Sequence, residues 1–216
     1  MAEILIDKIK LGDFIELDYT ARIKNNDIVF DTTIESDAKK HGIHSPKVTY
    51  KPLTIKVGEG HLVKGLDEFI VDKVPGKYSV DLIPEKAFGK KDAKLLRLVS
   101  IKEFHKNEIQ PQIGLEVELD GNRGVVRTIS GGRVIVDFNH PLSSQDIIYD
   151  LHIKSIVTDP KAKVEAALEV FRIPYENIEM VEDKAYVTFK TKIPEEVIQP
   201  IADELKKMTN VEVVFK

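Results

Sequence analysis

One run of strict alternation constrains this chain more than any other feature. Ile15, Leu17, Tyr19, Ala21 and Ile23 alternate with Glu16, Asp18, Thr20, Arg22 and Lys24. That period of two describes a strand with one buried and one wet face. Leu53, Ile55 and Val57 alternate with Thr54 and Lys56, and Tyr78, Val80 and Leu82 alternate in the same way. Between them, Gly58-Glu59-Gly60 breaks the second strand. Leu62, Val63, Leu66, Phe69 and Ile70 then recur at helical spacing, and Pro75-Gly76 marks the exit into a tight turn.

The pattern of this first block resumes much later, where Ile147, Tyr149, Leu151 and Ile153 alternate with Ile148, Asp150, His152 and Lys154. A strand so far from its fellows implies that one domain is inserted into another. The intervening block reads as short strands only, with a turn at Asp120-Gly121 and a hairpin at Ser130-Gly131-Gly132-Arg133. The last block opens on Asp159-Pro160, a helix N-cap followed by proline. A hairpin turning at Glu182-Asp183 follows, then a helix from about Pro194 that Pro200 should kink or shorten, then a strand at Val211 to Val214. The expected domains are 1–89 with 139–157, an inserted 90–138, and a small α+β domain over 158–216.

Composition narrows the chemistry. The 216 residues contain no cysteine, which excludes disulfides, thiolate metal sites and thiol catalysis. A formal charge of −4 argues against nucleic acid as a partner, although a local basic patch would escape that argument. No apolar run, including Met1 to Lys10, has the length of a signal peptide or a membrane span, so a cytoplasmic location without a membrane partner is expected. Gly58-Glu59-Gly60 lacks the further glycines and the lysine of a phosphate-cradling loop. His41 and His44 have no carboxylate pattern or third histidine beside them, and His140 and His152 read as structural. No metal and no cofactor is expected. What remains is a set of rings on or beside inward faces: Tyr19, Tyr149, Phe30 before Asp31, and Phe88 before Gly89. Spacing alone leaves these open between plain core packing and a binding site.

The order of the segments is more specific. "GDFIELDYTARI", "VFDTT", "LTIKVGEGHLVKGLDEFIVDKVPGKYSVDLIPEKAFG" and "DFNHPLSSQDIIYDLHI" resemble, in that order, the FKBP-type peptidyl-prolyl cis/trans isomerases. The likeness is greatest to the SlyD-like branch and its longer archaeal forms. It covers residues 10–157, with the glycine-initiated helix and "NHPL" as its most discriminating pieces. The resemblance implies an α+β fold in which a curved antiparallel sheet wraps a short helix, with an inserted all-β insert-in-flap domain. Its pocket, carried over residue by residue, is Tyr19, Phe30, Asp31, Leu53, Ile55, Leu62, Val63, Leu66, Phe88 and Tyr149. Leu66 stands where many members have tryptophan, Phe88 where many have a tyrosine whose hydroxyl bonds the bound peptide, and Tyr149 replaces a common phenylalanine. "PLSSQD" departs from the glycine-containing version of that segment.

Elementary chemistry agrees with such a site. Rotation about a prolyl amide breaks resonance against a barrier of roughly 18–20 kcal/mol and makes no covalent bond. No nucleophile, metal or cofactor is therefore required. Asp31 is a candidate oriented polar group for the substrate carbonyl or for Tyr19, the alternative being a turn-initiating Asp before Thr32-Thr33. In the SlyD-like branch the inserted domain binds unfolded chains. Its expected client surface here is Leu95, Leu96, Leu98, Val99, Ile101 and Phe104, an apolar run flanked by lysines. The partners expected are thus unfolded polypeptides containing prolyl bonds, with a homodimer through the C-terminal domain as a further expectation. A holdase with a decayed isomerase pocket is the alternative function. The histidine-rich nickel tail of many SlyD-like proteins has no counterpart in the closing "NVEVVFK".

Overall fold

The computed structural model describes residues 7–190 and 194–215. In chain order its elements are β1 (Phe14–Ile23), β2 (Val29–Thr32), α1 (Glu35–Lys40), β3 (Leu53–Lys56), α2 (Lys64–Ile70) and β4 (Gly76–Leu82). They continue with β5 (Leu96–Ser100), α3 (Ile101–Lys106), β6 (Glu116–Leu119), β7 (Asn122–Ser130), β8 (Arg133–Asp137) and β9 (Ile147–Val157). The chain then forms α4 (Pro160–Val170), β10 (Tyr175–Val181), β11 (Lys184–Phe189), α5 (Glu195–Thr209) and β12 (Glu212–Phe215). Two compact units result, one of residues 1–82 with 147–216 and one of residues 83–146.

In the first unit, an antiparallel sheet runs β2-β1-β9-β4, with β3 also paired to β1. The alternation read from β1 becomes burial: Ile15, Leu17 and Ala21 are closed from solvent, as are Ile147, Tyr149, Leu151 and Ile153 on β9. Two bulges bend this sheet. Glu16 opposes Ser155 while Leu17 opposes Ile153, so Lys154 is extra on β9. Ala21 opposes Asp31 while Arg22 opposes Val29, so Phe30 is extra on β2. Each extra residue twists the ladder locally and re-aims its own side chain.

The C-terminal block of the same unit has its own sheet, β10-β11-β12. β12 runs parallel to β11, a pairing that needs a crossover, and α5 supplies it. Asp159 caps α4 by accepting from the Ala162 N–H at 2.9 Å, with Pro160 in the first turn. Pro200 lies inside α5, and the helix nevertheless runs fifteen residues. Of the expected kink or shortening, the shortening does not occur: proline in the second turn forfeits one backbone bond, and the amphipathic stripe beyond it, with Leu205 and Met208 buried, sustains the helix. Phe14 joins this block's core with Val164, Leu168, Val187, Leu205 and Val213. It follows from the pleat: Phe14 and Ile15 are neighbours, so one faces each side of β1. Val157, opposite Phe14, packs against the same cluster.

The inserted unit has the sheet β5-β8-β7-β6. Its core is Phe104, Val117, Val126, Val134 and Val136. Gly124 is required there, since a Cβ would come within 2.7 Å of Phe138 and Val136. The strands and turns agree with the sequence reading, and the six-residue α3 is an addition to it. Ser100 caps α3 by accepting from Lys102 N–H.

Candidate functional site

Register brings the rings together. Tyr19 on β1 opposes Leu151 on β9, and Tyr149 on β9 opposes Ala21 on β1 and Val80 on β4. Tyr19 and Tyr149 are therefore diagonal neighbours on one face, where large side chains still reach each other. Their ring centroids lie 5.8 Å apart at 56°. The bulge on β2 turns Phe30 edge-on to Tyr149, at 6.5 Å and 90°. These are the tilted and edge-to-face geometries that aromatic quadrupoles favour. Ile55 opposes Ile15 and Leu53 opposes Leu17 across β1 and β3, so both share that face of the sheet.

Of the remaining residues expected at the site, Leu66 is buried on α2, while Leu62 and Val63 are half-buried just before it. That approach is fastened by Gly58 N–H donating to Asp67 Oδ1 at 3.2 Å. Phe88 belongs to the inserted unit, where its ring stacks on His140 at 4.8 Å.

Asp31 is held rather than free. The Tyr19 hydroxyl donates to Asp31 Oδ2 at 2.7 Å. Asp31 thus stands as a fixed, exposed carboxylate at the rim of a ring-lined surface. Burial first, then the bond to Asp31 and its charge, push the Tyr19 pKa up. Burial, and then the Asp31 charge, push Tyr149 up as well. Both hydroxyls stay protonated across the working range of pH.

The other face of this sheet is unlike it. Asp18, Arg22, Asp150 and His152 line an open groove of about 760 Å³ together with Val29, Ile34, Tyr78 and Leu151. Arg22 Nε meets Asp150 Oδ2 at 3.3 Å, and Ser79 Oγ donates to Asp150 at 2.6 Å. Its charged groups are already engaged with one another, and carboxylates and a guanidinium on the wall keep it wet. Among the described residues, no group of three or more histidines and carboxylates could hold a metal ion.

In the inserted unit the expected client run divides. Leu95, Leu96 and Leu98 are 38%, 45% and 59% exposed, on a tight turn and on β5. Phe104 is fully buried in the unit's own core, and Val99 and Ile101 pack against it. The pleat of β5 turns Val99 to the side opposite Leu96 and Leu98, and the helix at Ile101–Lys106 carries Ile101 and Phe104 off the line of the strand, which the reading of the segment as strand missed. Sequence reasoning also missed Asp137, a carboxylate only 3% exposed at the end of β8. It accepts from Lys91 Nζ at 3.1 Å, Arg127 Nε at 3.2 Å, and Asn139 N and Nδ2 at 3.0 and 2.9 Å. Asn139 in turn exchanges two bonds with the Asp92 backbone. Burial works against the Asp137 charge, but the Asn139 and Lys91 bonds overcome it and lower the pKa to about 2. An aspartate ending the apolar run Val134-Ile135-Val136 was the available signal.

Comparison with known proteins identifies the family. The family described as FKBP-type peptidyl-prolyl cis-trans isomerase matches residues 7–112. An FKBP-type 16 kDa peptidyl-prolyl cis-trans isomerase of Escherichia coli is 35% identical over 112 residues, covering 49% of this chain and 74% of that protein. The chain belongs to the FKBP-type peptidyl-prolyl cis-trans isomerase family. A short-type peptidyl-prolyl cis-trans isomerase of Methanocaldococcus jannaschii is 28% identical over 153 residues, 70% of this chain and 96% of that one. The isomerase SlyD of Helicobacter pylori is 23% identical over 123 residues, 54% of this chain and 66% of that one. Residues 97–142 match the family described as FKBP26, IF domain, so the inserted unit of this FKBP-type chain carries the family's insert domain. Among the described residues, no helix is long and apolar enough to cross a membrane.

Proposed function

We propose that this FKBP-type chain accelerates prolyl cis/trans isomerisation on the face bearing Tyr19, Phe30 and Tyr149, and that its inserted unit captures unfolded polypeptide along β5. The observation that carries the first part is the mutual contact of these rings around a fixed Asp31. A planar amide carries more charge separation than the twisted one, so a dry apolar wall favours the twisted state over the ground state. A millionfold acceleration requires only about 8 kcal/mol of such preference. The rings are locked by pleat, bulge and edge-to-face contact, so little reorganisation accompanies the rotation.

The capture reading rests on Leu95, Leu96 and Leu98, exposed on a tight turn and on a strand at the sheet's edge. Such an edge presents backbone donors and acceptors to a guest strand, and alternate leucines give it apolar pockets. The surface proposed excludes Phe104, Ile101 and Val99, which serve the unit's own core. Holding a client on the same chain as the isomerase face raises the local concentration of its prolyl bonds.

The test measures exchange on prolyl tetrapeptides and, separately, refolding of a proline-limited protein. Phe30→Ala should slow both. Leu96→Ser with Leu98→Ser should slow refolding only. Wild-type protein that leaves tetrapeptide exchange at its spontaneous rate refutes the isomerase reading, and equal loss in both assays from the leucine pair refutes capture.

A further inference from the structure

We infer that the Tyr149 hydroxyl is a hydrogen-bond donor that the ring-lined face offers to a backbone carbonyl oxygen of the bound chain. The inference rests on the isomerase reading above and adds a residue-level determinant to it. Tyr149 is 6% exposed, on a strand paired on both sides, opposite Ala21 and Val80. Tyr19 and Phe30 hold its ring at 5.8 and 6.5 Å. Among the described residues its hydroxyl has no hydrogen-bond partner, and it is not among the side-chain oxygens sealed from solvent. A polar atom on a side chain more than nine-tenths buried thus opens, unpaired, onto the surface where the substrate is placed.

Three other tyrosines of this unit have their hydroxyls engaged. The Tyr19 hydroxyl is taken by Asp31, that of Tyr78 donates to Val74 O at 2.7 Å, and that of Tyr50 to Ile43 O at 3.4 Å. Because the Tyr149 hydroxyl keeps some contact with solvent, it carries no full burial penalty, and phenylalanine in the same place would fold as well. A bound acceptor gives it the partner that the surrounding side chains do not.

The chemistry of that acceptor is also constrained. Burial and the charge of Asp31 keep Tyr149 protonated, so it acts as a donor. The same charge repels an anion. A neutral carbonyl oxygen is therefore favoured over a carboxylate, and a chain placing Asp or Glu against the hydroxyl should bind more weakly. Because neighbouring rings fix the donor, little side-chain freedom is lost when the bond forms.

The experiment compares wild type with Tyr149→Phe on a prolyl tetrapeptide carrying ¹³C at each backbone carbonyl in turn. Expected results are an unchanged melting temperature, a fall in kcat/KM of roughly five- to tenfold, the loss of one neutral hydrogen bond, and loss of the downfield shift at one carbonyl of the bound peptide. An unchanged kcat/KM together with unchanged carbonyl shifts in Tyr149→Phe overturns the inference while leaving an active wild type, and so the isomerase reading, intact. A wild type that binds the peptide without turning it over refutes that reading, and the carbonyl shift then still decides for or against the hydroxyl. A wild type that does not bind the peptide overturns both.

Discussion

The sheet that carries Tyr19 and the sheet of the inserted unit dispose of their apolar residues differently. On the first, bulky side chains collect on one face, their rings tilted or edge-on to one another and their strands paired, while Asp18, Arg22 and Asp150 occupy the other. On the second, valines and Phe104 fill the core, yet Leu96 and Leu98 stay 45% and 59% exposed on the edge strand β5. The difference teaches what each task demands. Lowering a rotational barrier needs groups that are already in position, and rigidity comes from packing density. Holding chains of unrelated sequence needs apolar surface that adapts, which aliphatic side chains on an open edge provide.

The largest expected effect should break the comparison if the two sheets depend on one another. Phe104→Ala removes the largest side chain of the insert's core and should destabilise that unit by about 3–5 kcal/mol. Hydrogen exchange should show its amides opening, and refolding assistance should be lost, while tetrapeptide exchange keeps its wild-type rate. A parallel fall in tetrapeptide exchange would show that the units are not energetically separable.

A smaller effect sharpens the comparison through pH. Asp137 has a folded pKa of about 2 against an ordinary 3.8. A depressed carboxylate pKa stabilises the folded state above the unfolded pKa, and that stability is lost as pH falls from about 4 through about 2. Its cationic partners Lys91 and Arg127 are half-exposed, so the loss should be on the order of 1–2 kcal/mol. Urea unfolding across that window should weaken the inserted unit, and Asp137→Asn should flatten the dependence.

The smallest change addresses the ring face. Tyr19→Phe removes the bond to Asp31 and keeps the ring, so stability should fall by about 0.5–1.5 kcal/mol. Tetrapeptide exchange should fall less than in Phe30→Ala, because the aromatic wall survives. A larger loss than in Phe30→Ala would place the oriented carboxylate, rather than the wall, first.

Much of this was legible in the chain. Alternation at β1, β3, β4 and β9, the turn signals at Asp120-Gly121 and Glu182-Asp183, and the cap at Asp159 all correspond to elements in the structure. So did the order of segments that marks the family. The rest depended on partners. Phe30 became an edge-on wall only because a bulge against Arg22 left it over in β2. The run from Leu95 to Phe104 looked uniform by composition, but a helix beginning at Ile101 divided it into edge and core.

The sequence by itself determined which faces are apolar, where turns fall and which family the order of segments belongs to, because pleat, caps and turns are set by neighbouring residues. Only the tertiary structure decided that Phe14 belongs to the C-terminal core, that Asp137 is a buried, paired carboxylate, and that the Tyr149 hydroxyl has no partner among the described residues. Burial and hydrogen bonding depend on which distant segment arrives beside a residue, and no local periodicity encodes that.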